Sequence, residues 1–89
     1  MDFEKLKMDF EKLKKERIEY NEKLIRILNI IIQRYPSMRL GQVLYAFGFT
    51  TKENKIFDTF NEEPKITYQR VIEQTKTNAE LYNLIIDNI

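Results

Sequence analysis

Cysteine and histidine are both absent from the 89 residues. Without cysteine there is no disulfide framework and no thiol chemistry. Without histidine the chain lacks the usual general base, the proton switch near neutral pH and the commonest metal ligand. Glycine and proline occur only twice each, so few positions can stop a helix. No apolar run approaches the ~20 residues of a membrane-spanning helix, and the N-terminus is charged rather than signal-like. The expectation is a cytoplasmic protein, of a bacterium or a phage-infected cell, with no membrane partner. Neither sign of charge dominates, with 15 Lys and Arg against 14 Asp and Glu. Residues 1–35 carry nine basic and seven acidic side chains. These are interleaved as on a solvated helix, not gathered into a nucleic-acid stripe.

Catalytic signatures are missing as well. There is no Gly-rich phosphate loop, no nucleophile beside a base and no ligand cluster with metal spacing. The adjacent Glu62 and Glu63 do not make a metal site by themselves. The reading is therefore a protein that is not an enzyme, with no cofactor, no metal and no small-molecule substrate. Ile, Lys and Asn are frequent and alanine appears only at Ala46 and Ala79, a bias that fits an AT-rich genome.

What the chain does have is helical periodicity. Met1–Lys7 is repeated without change at Met8–Lys14. The period of seven sets Phe3, Leu6, Phe10 and Leu13 on one stripe, which continues through Arg17 and Tyr20. The seam weakens at Arg17. The register is expected to drift there, with Ile18, Leu24, Ile25, Leu28 and Ile32 taking over the apolar face. Nothing breaks the pattern from about Asp2 to Arg34. Ile25, Ile27, Leu28, Ile30, Ile31 and Ile32 form the densest apolar run and are expected in the core. Two units follow: residues 1–23 as a coiled-coil-like helical extension, and residues 24–89 as a small helical domain. Too little chain follows to cover the whole helix, so another copy or another protein should cover its first part. The repeat also admits Met8 as an original start, with seven residues added ahead of it.

The chain turns at Arg34–Phe49. Pro36 disfavours helical geometry at Tyr35. Ser37 is placed to cap a short helix over about 38–47, with Leu40, Val43, Leu44 and Phe47 inward. Gly48 stands where a helix-ending residue of positive φ belongs. Gly41 costs roughly 1 kcal/mol against alanine inside a helix. A close backbone crossing is the expected reason for it, or else close approach of a partner. Arg39 opposes the helix macrodipole at this end. It is expected to pair with Asp58, Glu62 or Glu63, or to serve as an exposed contact with Tyr35 and Gln42.

Tyr-Pro-x-x-Arg-Leu-Gly-Gln-x-Leu, beginning at Tyr35 and followed by a Phe-Asp-x-Phe-x-Glu-Glu segment from Phe57, resembles a group of small phage and bacterial proteins. These commonly carry Asp and Phe where Ser37 and Leu40 stand. The resemblance spans about residues 24–72. It implies a small helical domain and supplies no activity.

Farther on, Ile56, Phe57 and Phe60 suggest a helical turn that plugs the core. Thr67 is placed to cap a helix over about 68–76, and Thr77 with Glu80 fits a capping box opening a last helix to about Asn88. Leu81, Leu84 and Ile85 form its expected buried stripe, widened by Tyr82, Ile86 and Ile89. The fold class is all-α: a small helical bundle with a long N-terminal helix and three or four shorter ones. The leading functional reading is a non-catalytic protein-interaction protein. It would be a phage or mobile-element factor that binds and inhibits or redirects a larger protein, such as a host defence component. Its candidate contact residues are Phe3, Leu6, Phe10, Leu13, Arg17 and Tyr20, with itself or a protein as partner. Two alternatives stand beside it. One is a nucleic-acid-binding regulator, with helix–turn–helix spacing over 24–47 and Lys12, Lys14, Lys15, Arg17, Lys23 and Arg26 facing phosphates. The other is a structural oligomerisation module.

Overall fold

The computed structural model describes residues 3–50 and 62–89. Among these residues there are four helices and no strand. The helices are α1 (Phe3–Arg34), α2 (Leu40–Ala46), α3 (Pro64–Thr75) and α4 (Ala79–Asn88). The fold is thus an all-α small bundle with a long N-terminal helix, as expected. The helical turn expected at Ile56, Phe57 and Phe60, and the Asp58 partner proposed for Arg39, lie outside the described residues.

α1 runs uninterrupted because no glycine or proline occurs before Pro36. Its 32 residues span about 48 Å at 1.5 Å per residue. Glu4 in the first turn and Arg34 in the last suit the macrodipole. At the end, Tyr35 N–H still bonds Ile31 O at 2.9 Å, and Met38 N–H closes a turn onto Tyr35 O at 3.1 Å. That turn displaces the expected start of α2. Arg39, not Ser37, is the N-cap residue, and its backbone N–H is satisfied by Gln42 Oε1 at 3.0 Å. The bond is the returning half of a capping box. α2 ends at Ala46, and Gly48 just beyond its C-cap Phe47 has a φ of 85°, in the left-handed region as its position suggested.

α3 starts earlier than the sequence indicated. Glu63 is the N-cap residue and Pro64 occupies the first helical turn, where a missing N–H costs nothing. Thr67 therefore lies inside the helix, and its hydroxyl donates to Glu62 Oε1 at 2.6 Å instead of capping. α4 is capped by Asn78, whose Oδ1 accepts from Leu81 N–H at 3.2 Å. Thr77 gives its hydroxyl to Gln74 O at 2.9 Å, so the expected Thr77–Glu80 box does not form.

The direction of each helix follows from its contacts. The start of α3 lies beside Arg17, and the start of α4 lies beside Arg34 and Tyr35. α3 thus runs in the same sense as α1, and α4 turns back. Ile27, Ile31, Val43, Val71, Leu81 and Ile85 are fully buried at the centre, with Phe49 closing one side. Thr75 is the one buried polar residue among those described, and its hydroxyl donates to Ile72 O at 2.9 Å. Each large aliphatic side chain taken from water contributes about 1.5–3 kcal/mol.

The expected drift of the α1 register does not occur. Ile27 and Ile31 continue the heptad stripe inward, flanked by half-buried Leu24, Leu28 and Ile30, whereas Ile18, Ile25 and Ile32 are exposed. α3 and α4 approach α1 from one side only, so the opposite face of this apolar run meets water. Leu84 and Ile86 of α4 and Leu40 of α2 are likewise exposed, against the inward placement expected for all three.

No helix among the described residues is long and apolar enough to cross a membrane.

Candidate interaction surface

α3 begins opposite Arg17, so none of the described helices lies beside the first part of α1. Its stripe is bare there: Leu6 is 39% exposed, Phe10 61% and Leu13 36%, with Met8 at 72% beside them. Phe3 holds the same position in the repeat, at the first residue of α1.

Farther along the same stripe the side chains have partners. Arg17 makes a two-pronged bond to Glu63, Nε to Oε2 at 2.9 Å and Nη2 to Oε1 at 2.6 Å. This bond holds the Glu63 carboxyl below its ordinary pKa and the Arg17 guanidinium above its own. Tyr20 packs against Tyr68 with ring centroids 5.2 Å apart. Lys23 Nζ sits 5.2 Å from the first ring centroid and 5.5 Å from the second, a geometry in which the cation is attracted to both ring faces. Glu16 pairs with Lys65 at 3.7 Å. Arg17 and Tyr20, expected as contacts to a partner, thus join α1 to α3. Where the projecting part of α1 leaves the bundle there is a cleft of ≈ 210 Å³ lined by Leu13, Tyr20, Pro64 and Ile66.

The second candidate set divides in a similar way. Tyr35 is half-buried. Its hydroxyl accepts from Asn78 Nδ2 at 3.0 Å, and its ring lies 5.6 Å from that of Phe47. Tyr35 therefore fastens the end of α1 to the start of α4. Gln42 is exposed and spends its amide oxygen on the α2 N-terminus. Arg39 is exposed, and neither Glu62 nor Glu63 is its partner, because each is bonded to another arginine. Gly41 is exposed too, and a Cβ built there meets no described atom within 4 Å. The close backbone crossing expected at Gly41 is not present among the described residues.

Glu62 belongs to a junction that the sequence did not reveal. Arg70 bonds its two carboxylate oxygens at 3.0 and 2.6 Å and donates through Nε to Gly48 O at 2.7 Å. With side chains 23% and 18% exposed, Arg70 and Glu62 form the most sheltered ion pair among the described residues. The Arg70 bond, with help from the Thr67 hydroxyl, holds the Glu62 carboxyl below its ordinary pKa. The two carboxylates of the Glu62–Glu63 pair are thus tied to different helices. No group of three metal-ligating side chains occurs among the described residues.

A second apolar row, expected on the covered face of α1, lies in water instead. Ile18, Ile25 and Ile32 are 58%, 66% and 41% exposed. They stand seven residues apart at the position in the repeat held by Glu4 and Glu11. That position was the available signal, because it faces away from the seam in every heptad.

Compared with family models, with curated proteins and with solved structures, the chain matches none.

Proposed function

We propose that this chain is a non-catalytic protein-interaction protein whose contact surface is carried by α1. The observation that supports the reading most is the bare stretch of heptad stripe at Leu6, Phe10 and Leu13, on a helix that runs past the rest of the bundle. Contiguous exposed apolar side chains on a small protein mark an interaction site, and heptad spacing suits another helix as the occupant. The Ile18, Ile25 and Ile32 row gives the bundle itself a second apolar face. In the finer form of this reading, the chain is a phage or mobile-element factor that acts by occupying a surface of a larger protein. The nucleic-acid alternative draws less support, because Arg17 is bound to Glu63, and Lys23 to Glu19 and the two tyrosine rings.

The test is the double variant Phe10→Asp/Leu13→Asp. Both side chains are exposed, so the bundle core should stay folded. Association, read as sedimentation mass and as protein captured from nuclease-treated lysate, should be lost. Wild type that stays monomeric and captures nothing, or a variant that associates as wild type does, would refute the reading.

A further inference from the structure

The repeat at the start of α1 carries a charge pattern beside its seam. With Phe3 and Phe10 at the first core position of the heptad and Leu6 and Leu13 at the fourth, the flanking positions follow. The flank after the fourth position holds Lys7 and Lys14, and the flank before the first holds Asp9 and Glu16. Asp2, outside the described residues, has the same place in the repeat as Asp9. One side of the seam is therefore basic in both heptads, and the other side is acidic. Lys7, Asp9 and Lys14 are exposed, with no ion pair to another described residue.

This arrangement selects both a partner and an orientation. In two parallel helices in register, the acidic flank of each lies against the basic flank of the other, and a residue meets one five positions farther along its neighbour. Asp9 of one copy then faces Lys14 of the other, and the twofold axis repeats the pair. In an antiparallel pair, like flanks meet, with lysine against lysine and carboxylate against carboxylate. We propose that the projecting part of α1 docks with a second copy of this chain as a short, parallel, in-register two-stranded coiled coil. The proposal rests on the reading of the Leu6–Phe10–Leu13 stripe as a contact surface, and it names the occupant.

The rest of the fold sets where such a coil must end. α3 already covers the seam at Arg17 and Tyr20. The helix of a second copy can follow the seam only to Leu13, and the two α1 helices diverge there. The cleft lined by Leu13, Pro64 and Ile66 lies at that fork. Two heptads are too short to form a stable helix alone. Here the helix is continuous with the bundle, which nucleates it, and Phe10 with the two leucines supplies the apolar contact.

The chain has no cysteine of its own, so one substitution gives a single reporter thiol in the full-length protein. Leu6→Cys under mild oxidation should give a disulfide-linked dimer, because in-register parallel helices bring the two seam positions within bridging distance. An antiparallel pair would leave Leu6→Cys unlinked and would link a mixture of Leu6→Cys and Phe10→Cys. That outcome overturns the proposal and leaves the contact-surface reading intact. Lys14→Glu alone and Asp9→Lys alone should each weaken self-association roughly tenfold, since both symmetric pairs become repulsive. An equimolar mixture of the two variants should restore it. Self-association unchanged by Lys14→Glu overturns the proposed pairing. A wild-type chain that sediments as a monomer at every concentration overturns the second copy as occupant, and capture of a different protein through the same stripe would then still uphold the surface.

Discussion

Replacing Glu62 by glutamine tests whether the Arg70 junction holds the bundle together. The carboxylate accepts from Arg70 Nη1 and Nη2 at 3.0 and 2.6 Å and from Thr67 Oγ1 at 2.6 Å. Glutamine keeps one acceptor oxygen and turns an NH₂ group toward a donor. Hydrogen bonds to a charged group are worth about 1.5–3 kcal/mol each. Water reaches part of this pair, with side chains 23% and 18% exposed, and offsets part of the loss. A net destabilisation of about 2 kcal/mol follows, which lowers Tm by roughly 8–16 °C in a domain of this size.

The pH dependence supplies the sharper check. Arg70 holds the Glu62 carboxyl below its ordinary pKa in the folded protein. The unfolded chain therefore binds that proton first as pH falls. The stabilisation is fully present above the unfolded carboxyl range, near pH ~4.3, and is lost as pH drops through the lower folded value. Thermal melts followed by circular dichroism should show the full Tm gap between wild type and Glu62→Gln at pH 7 and at pH 6. The gap should narrow below pH ~4 and close in stronger acid. Glu63 is depressed in both proteins and cancels from the difference. A gap that persists unchanged in strong acid would mean that side-chain shape, not charge, is responsible. No gap at pH 7 would refute a supporting role for the junction altogether.

Four further substitutions test the helix ends. Gly41→Ala should raise stability by about 0.5 kcal/mol in urea titration, because the added methyl meets no described atom and alanine suits a helix better; a loss would place a neighbour there after all. Gly48→Ala should cost about 1–2 kcal/mol, since φ is 85° and the new Cβ would lie 3.0 Å from Gln74 Cγ, and a neutral result would show that the turn relaxes freely. Asn78→Ala removes both the α4 cap and the bond to Tyr35, and should cost about 1–2 kcal/mol. Tyr35→Phe, which breaks only the second of these bonds, should cost less, and equal losses would show that the cap contributes nothing.

The helical class, the long α1, the turn at Pro36 and the left-handed Gly48 are all legible in the order of residues. Each depends on local backbone chemistry: unbroken helical periodicity, a missing N–H, and a φ that glycine adopts freely. The heptad stripe was legible too, in the seven-residue repeat that sets Leu6, Phe10 and Leu13 on one side of the helix. Helix starts were less legible. Ser37, Thr67 and Thr77 are good caps in isolation. The chain instead uses Arg39 with Gln42, Glu63 with Pro64, and Asn78 with Oδ1, because the turns before each helix decide which backbone donors are left over.

Which side of α1 is covered, and where the cover stops, depends on how the helices pack together. A run such as Ile25 to Ile32 is apolar on most sides, and periodicity cannot say which face a neighbour will take. α3 and α4 settle on the side of Ile27 and Ile31 and leave Ile18, Ile25 and Ile32 in water. The bonds that bring them there, Arg17 to Glu63, Arg70 to Gly48, and Asn78 to Tyr35, join residues 22 to 46 positions apart. Local pattern carries no record of such pairings. They set the point on α1, next to Leu13, where the bundle ends and the uncovered stripe begins.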